Sequence, residues 1–261
     1  MIKRHFGLLT LLLVTMILSV FTACAPELIP TEPFPTEEVT EQVTTLPPQS
    51  TDPTVADETE PAVTEPVMLP ALAEFYEKNP DICGWIRIEN TELDYPLMYT
   101  PEDPEKYLRM DFNENYSVGG LPFLDSDCSL DPESGNLIIY GHNMRDGSQF
   151  RSIMMYKDRS YWEEHPTIIL STLYEEREYE VLAAFYDRVY YRYEDCFKFY
   201  QFIDAEDENA FNEAIAYYKE HSEYETGVTA EYGDRLITLV TCSYHHEYGR
   251  FVVVAREEIN N

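Results

Sequence analysis

The chain has 261 residues, with 18 Lys and Arg against 49 Asp and Glu, a formal net charge of −31 at pH 7, and a hydrophobic share of 44%. That length allows one domain of ordinary size plus appendages. The acid excess argues against nucleic acid as a partner and against an anionic bilayer held through the folded surface; it suits basic or amine-bearing partners, and equally a charge that serves solubility alone.

Residues 1–24 open with Lys3 and Arg4 and continue in an uncharged run from Phe6 to Phe21, the pattern of a signal-type segment. The apolar stretch is short beside the roughly 20 residues a membrane span takes. It ends in Phe21-Thr22-Ala23-Cys24, which resembles a bacterial lipobox. An uncleaved signal anchor or a lipid on Cys24 would each hold the protein to the membrane, on the extracellular face, through this N-terminal segment. Residues 25–70 are rich in Pro, Thr and Glu, with 10 acids and no Lys or Arg. A segment so charged and so poor in apolar residues cannot bury enough surface to fold and reads as an extended linker. Residues 71–261 hold 39 acids against 16 bases, so this folded part is itself at −23.

Within that part, Leu69–Asn79 predicts a short helix ended by Asn79-Pro80. Strands are predicted over 84–88, 93–98, 121–125, 136–141, 167–173, 177–188, 235–242 and 250–257. Two helical insertions interrupt them. One spans Ser148–Tyr156; the other spans Ala205–His221, with Asp204 as its cap and a stripe of Phe211, Ala214, Ile215 and Tyr218. Eight short strands with turn signals between them predict a mostly β domain, a closed barrel or a sandwich.

Two of these strands end in reactive residues. RLITLVTC runs into Cys242, and after a polar loop GRFVVVAR starts the return strand with Arg250. In an antiparallel hairpin those two ends lie side by side, so the thiol gains the cationic neighbour that favours a thiolate. Arg250 is also suited to hold an oxyanion or a carbonyl. A cysteine nucleophile needs a proton-transfer partner. NLIIYGHN supplies one in His142, again at the end of an apolar strand.

The motifs YGHNM (Tyr140–Met144) and TLVTC, with Arg250 eight residues after the cysteine, resemble those of the sortases, cysteine transpeptidases of Gram-positive bacterial surfaces. NPDICGWIRI (Asn79–Ile88), LDYPLM (Leu93–Met98) and GHNMRDGSQF place the resemblance in class B, from about Ala71 onward. The resemblance implies a closed eight-stranded barrel with an N-terminal helix and a helical insertion before the cysteine strand. It implies His142, Cys242 and Arg250 as catalytic residues and puts Thr241, Val240 and Asn143 beside the substrate. Val240 stands where many class B members carry a Ser. The implied partners are secreted proteins bearing a C-terminal sorting motif, cut after Thr, and a peptidoglycan precursor or other amine as acceptor. No cofactor and no metal are expected.

Other readings stay open on the residues alone. The same thiol and imidazole serve a hydrolytic cysteine peptidase, and the scaffold could be a non-catalytic surface-binding barrel. His245 and His246, close behind Cys242, could with His142 make a Cys/His metal cluster, or be plain loop residues. Cys83, Cys128 and Cys196 read as buried, inert thiols; a disulfide among them is permitted outside the cell.

Overall fold

The structure is a computed structural model and describes residues 66–258. The expected export segment and most of the expected linker lie outside the described residues. Among the described residues no helix is long and apolar enough to cross a membrane. The Leu69 N–H donates to Leu173 O at 2.7 Å, and helix α1 (Pro70–Lys78) follows at once. Proline fits the first turn because its missing N–H would find no acceptor there. α1 buries Leu72 and sets Phe75 against Trp85 and Phe112, at ring separations of 5.0 and 5.7 Å.

Eight strands follow: β1 (Ile82–Arg87), β2 (Asp94–Met98), β3 (Phe123–Leu124), β4 (Asn136–Tyr140), β5 (Thr167–Thr172), β6 (Glu176–Arg188), β7 (Leu236–Cys242) and β8 (Gly249–Glu257). They close into a barrel in the order β1-β2-β3-β4-β7-β8-β6-β5, the expected architecture. Pairing is antiparallel except between β2 and β3 and between β4 and β7. β7 and the centre of β8 are buried residue after residue. An alternating strand would show one wet face; here the barrel interior takes one face, and the 3-10 stretch Ser152–Lys157 lies on the other.

The insertions depart from expectation in detail. The helix expected over Ser148–Tyr156 is the 3-10 stretch just named, and a separate short helix, α2 (Arg159–Glu164), follows it. Asp158, at φ −103° and ψ 121°, is extended and keeps the two apart. Helix α3 (Glu208–His221) starts later than expected. Its cap is Asp207, whose carboxylate accepts from Ala210 N at 2.9 Å, whereas Asp204 accepts from Gly135 N at 2.7 Å instead. The stripe Phe211, Ala214, Ile215 and Tyr218 is buried, as its spacing requires. An unforeseen 3-10 turn, Lys106–Arg109, lies in the connection from β2 to β3.

Candidate active site

In the β7–β8 hairpin, Cys242 is register partner to Arg250, the last pair of the ladder. Directly opposed residues of an antiparallel pair project to the same face. The intervening loop is held at its neck. The Ser243 N–H donates to Gly249 O at 2.9 Å, and the Gly249 N–H to His246 O at 3.1 Å. A side chain at 249 would put its Cβ 2.5 Å from Ser243 O, so glycine is required there.

β4 runs parallel to β7, ending with Tyr140 beside Val240. Beyond that pair the chain stays stitched to the cysteine strand. Gly141 N donates to Val240 O at 3.1 Å, Thr241 Oγ1 to Gly141 O at 2.7 Å, and Asn143 Nδ2 to Cys242 O at 2.8 Å. His142 is therefore bracketed by two residues bonded to the strand that carries the thiol. Gly141 has no alternative: a Cβ there would lie 2.4 Å from the buried Phe150 ring. Phe150 in turn donates its N–H to His142 O at 2.9 Å.

The His142 ring meets Leu108 O through Nε2 at 2.9 Å. A carbonyl can only accept, so Nε2 carries the hydrogen and the neutral ring keeps its lone pair on Nδ1. Burial pulls the imidazole below the ordinary histidine value; the Arg109 charge adds to that, and the Leu108 bond opposes it. Arg250 is half-buried. Its Nη1 donates to Gly249 O at 3.0 Å and Tyr248 O at 3.3 Å, two backbone carbonyls rather than a carboxylate. Its guanidinium is thus oriented, and among the described residues no carboxylate lies within ion-pair distance of it; the nearest in register is buried Asp187 on β6.

The expected substrate-side residues are largely covered. Val240 is 1% exposed and belongs to the hydrophobic core, on a strand buried residue after residue. It offers no surface to a peptide. Thr241 is buried as well, and its hydroxyl is already given to Gly141 O, so it ties the two strands together. Asn143 is half-buried, with Nδ2 on Cys242 O and Oδ1 accepting from Arg151 at 3.2 Å. The Ser243 N–H, the nearest main-chain donor after the cysteine, is taken by the hairpin. Leu108 was not foreseen. It acts through its carbonyl, which leaves no trace in side-chain type.

All four cysteines of the described residues are free. The Cys83 thiol donates to Leu97 O at 3.4 Å, and burial drives its pKa far up. Burial likewise pushes the Cys128 thiol up to about 12. In both, burial disfavours the thiolate. Cys196 is exposed, against expectation, because the connection after β6 runs over the surface there. His245 shares a hydrogen with Ser243 Oγ at 3.0 Å and packs edge-on to Tyr186, and exposed His246 turns to Glu247 O. Among the described residues no group of three or more His, Cys, Asp or Glu could hold a metal.

The chain matches the family model of the sortase domain over residues 86–258. It is 32% identical over 186 residues to sortase B of Listeria monocytogenes, covering 70% of this chain and 72% of that protein. The structure of a Staphylococcus aureus sortase B–substrate complex aligns with a TM-score of 0.66 at 27% identity, over 73% of this chain and 86% of that one. A sortase B complexed with triglycine aligns at 0.65 and 27%, over 72% and 86%.

Proposed function

The chain belongs to the sortase family, as a class B member and a cysteine transpeptidase, and from that footing we propose that Cys242, His142 and Arg250 carry the reaction. Thiolate Cys242 attacks the carbonyl carbon of the scissile peptide bond. Arg250 donates to the oxyanion of the tetrahedral intermediate, a contribution of about 3 kcal/mol per donor in comparable sites. His142, as imidazolium, protonates the leaving amine while the C–N bond breaks, and a thioester remains. An incoming amine then attacks the thioester, gives its proton to His142 and expels the Cys242 thiolate.

The observation that carries this reading is the register. Cys242 faces Arg250 across the end of the hairpin, and the His142 loop is bonded to the Cys242 carbonyl through Asn143. The substrate class is a C-terminal sorting motif of the Asn-Pro-x-Thr or Leu-Pro-x-Thr kind, cut after Thr. The acceptor is an amine of a cell-wall precursor; the solved relatives with a substrate and with triglycine support both halves of that reading. The N-terminal segment of residues 1–24 tethers the enzyme outside the cell, and residues 25–70 lift the domain from the membrane.

The test is to incubate the full chain with a sorting peptide, with and without a triglycine acceptor, and follow products by mass spectrometry. An acyl adduct on Cys242 that triglycine converts to a ligated peptide is expected. Adduct formation on another cysteine overturns the site, and hydrolysis unaffected by the amine overturns the transpeptidase reading.

A further inference from the structure

We propose that a polar network remote from the thiol, built of Asn79, Asp81, Lys106 and Tyr107, positions His142 by fixing the carbonyl that its Nε2–H addresses. This rests on His142 being the proton-transfer residue. The network begins at Tyr107, which is fully buried. Its hydroxyl accepts from Asn79 Nδ2 at 2.7 Å and donates to Asp81 Oδ2 at 2.9 Å. Lys106 Nζ donates to the same Asp81 oxygen at 2.7 Å and to Glu114 Oε1 at 2.6 Å. Asn79 Nδ2 also reaches Phe112 O at 2.9 Å, while its Oδ1 accepts from Asp81 N at 3.0 Å. Burial opposes ionisation of Asp81, but the bonds from Lys106 and Tyr107 more than reverse it, so the centre of the network is a carboxylate.

The next residue after Lys106 and Tyr107 is Leu108, whose carbonyl holds the His142 ring at 2.9 Å. A four-residue 3-10 turn has too few internal bonds to hold its own position, so tertiary bonds must set it. The network supplies them on one side. On the other, Gly120 packs so closely that a Cβ there would lie 2.2 Å from Tyr107 O. Gln149 Nε2, from the His142 loop, donates to Gly120 O at 3.1 Å and closes the circuit. The turn is thus clamped between the start of β1 and the histidine loop.

The consequence is chemical. The Nε2–H stays on Leu108 O whether the ring is neutral or charged, so Nδ1 is the nitrogen that gains and loses the catalytic proton. The charged group that bears on the ring is Arg109, from the same turn; Arg145 and Arg151 follow His142 in its own loop, and Cys242 and Arg250 end the neighbouring hairpin. None of them accepts the Nε2–H. If the turn slackens, the ring can rotate or change tautomer, and the imidazolium loses one acceptor.

The experiment compares Tyr107→Phe, Lys106→Met and His142→Ala in the full chain, reading kcat, KM and the pH profile of peptide transfer. Histidine 15N NMR on Cys242→Ala reads the tautomer. The proposal expects kcat about tenfold lower in Tyr107→Phe and Lys106→Met, a part of the hundredfold or more that acid–base catalysis supplies. KM should change little, and the histidine limb of the profile should move to lower pH. Cys242→Ala should show a neutral ring bearing its hydrogen on Nε2. An Nδ1–H tautomer overturns the proposal even if a network variant fails to fold. So does a wild-type pH profile in both network variants while His142→Ala is inactive. Full activity of His142→Ala would instead sink the underlying reading.

Discussion

The two ends of the β7–β8 hairpin treat their arginines in opposite ways. Where β7 begins and β8 ends, Arg256 meets Glu180 at 2.5 Å, and Arg235 reaches Glu133 and Glu257, each at 3.5 Å. Arg177, with a side chain only 8% exposed, bridges Glu133 at 2.6 Å and Glu175 at 2.5 Å. At the far end Arg250 touches only main-chain oxygens. One end neutralises its cations inside a carboxylate web and gains stability from them; the other orients a cation on main-chain carbonyls, the arrangement that the proposed oxyanion role requires. Arg109 and Arg151 also donate to uncharged oxygens, so what sets Arg250 apart is its register opposite Cys242.

The largest expected effect isolates the working end itself. Cys242→Ala should abolish the acyl adduct in mass spectrometry and leave the circular dichroism spectrum unchanged, because a half-buried thiol at a strand end carries little packing. Next, exchanging the two kinds of arginine should separate rate from stability. Arg250→Lys should lower kcat about a hundredfold, since a point charge replaces a planar fork at an oxyanion, with little change in melting temperature. Arg177→Met should do the reverse, costing about 2 kcal/mol of stability by leaving Glu133 only its longer contact to Arg235, with kcat near wild type. Equal losses of rate in both variants would erase the distinction between the ends.

Smaller effects sharpen the same contrast. Gly141→Ala forces a methyl into the Phe150 ring and should cost about 2 kcal/mol by overpacking. It should also lower kcat, since His142 is the next residue, and Phe150→Leu in the same chain should restore part of both. The His142 imidazole should titrate below about 6.5 by NMR. The folded state then binds that proton more weakly than the unfolded chain, so this residue's contribution to stability falls as pH drops below about 6.5 toward the folded value. A midpoint above 6.5 would mean that the Leu108 bond outweighs burial. The smallest effect belongs to Cys196→Ser, which should alter neither rate nor melting while removing the site most readily labelled by a bulky thiol reagent.

How much of this was legible in the sequence follows from what kind of contact each feature uses. The barrel strands could be read because β-branched runs such as LITLVTC and RFVVVAR are buried on both faces, and that burial is written directly in residue type. Cys242 and Arg250 could be placed together because an antiparallel hairpin determines its own register. His142 could be singled out as an imidazole at a strand end, but nothing local says that β4 pairs with β7 and so brings it to the cysteine strand. The burial of Val240 was not foreseen, because the resemblance names a position and says nothing of how covered it is in this chain. Leu108, Ser243 N–H and the neck of the hairpin act through the backbone, which every residue shares. The 3-10 turn Lys106–Arg109 has no periodic apolar pattern to announce it.

The parallel pairing of β4 with β7 also has a kinetic side. Tyr140 and Val240 are 100 residues apart in the chain, and β5, β6 and α3 lie between them. A contact of that span meets a large loop-closure cost before anything rewards it, which places it among the slow events of folding. The hairpin with Cys242 and Arg250 can form locally and early; the histidine reaches it only when the barrel shuts. On the proposed assignment, a half-folded chain would present the thiol without its proton partner, so catalytic competence should be among the last properties the molecule acquires.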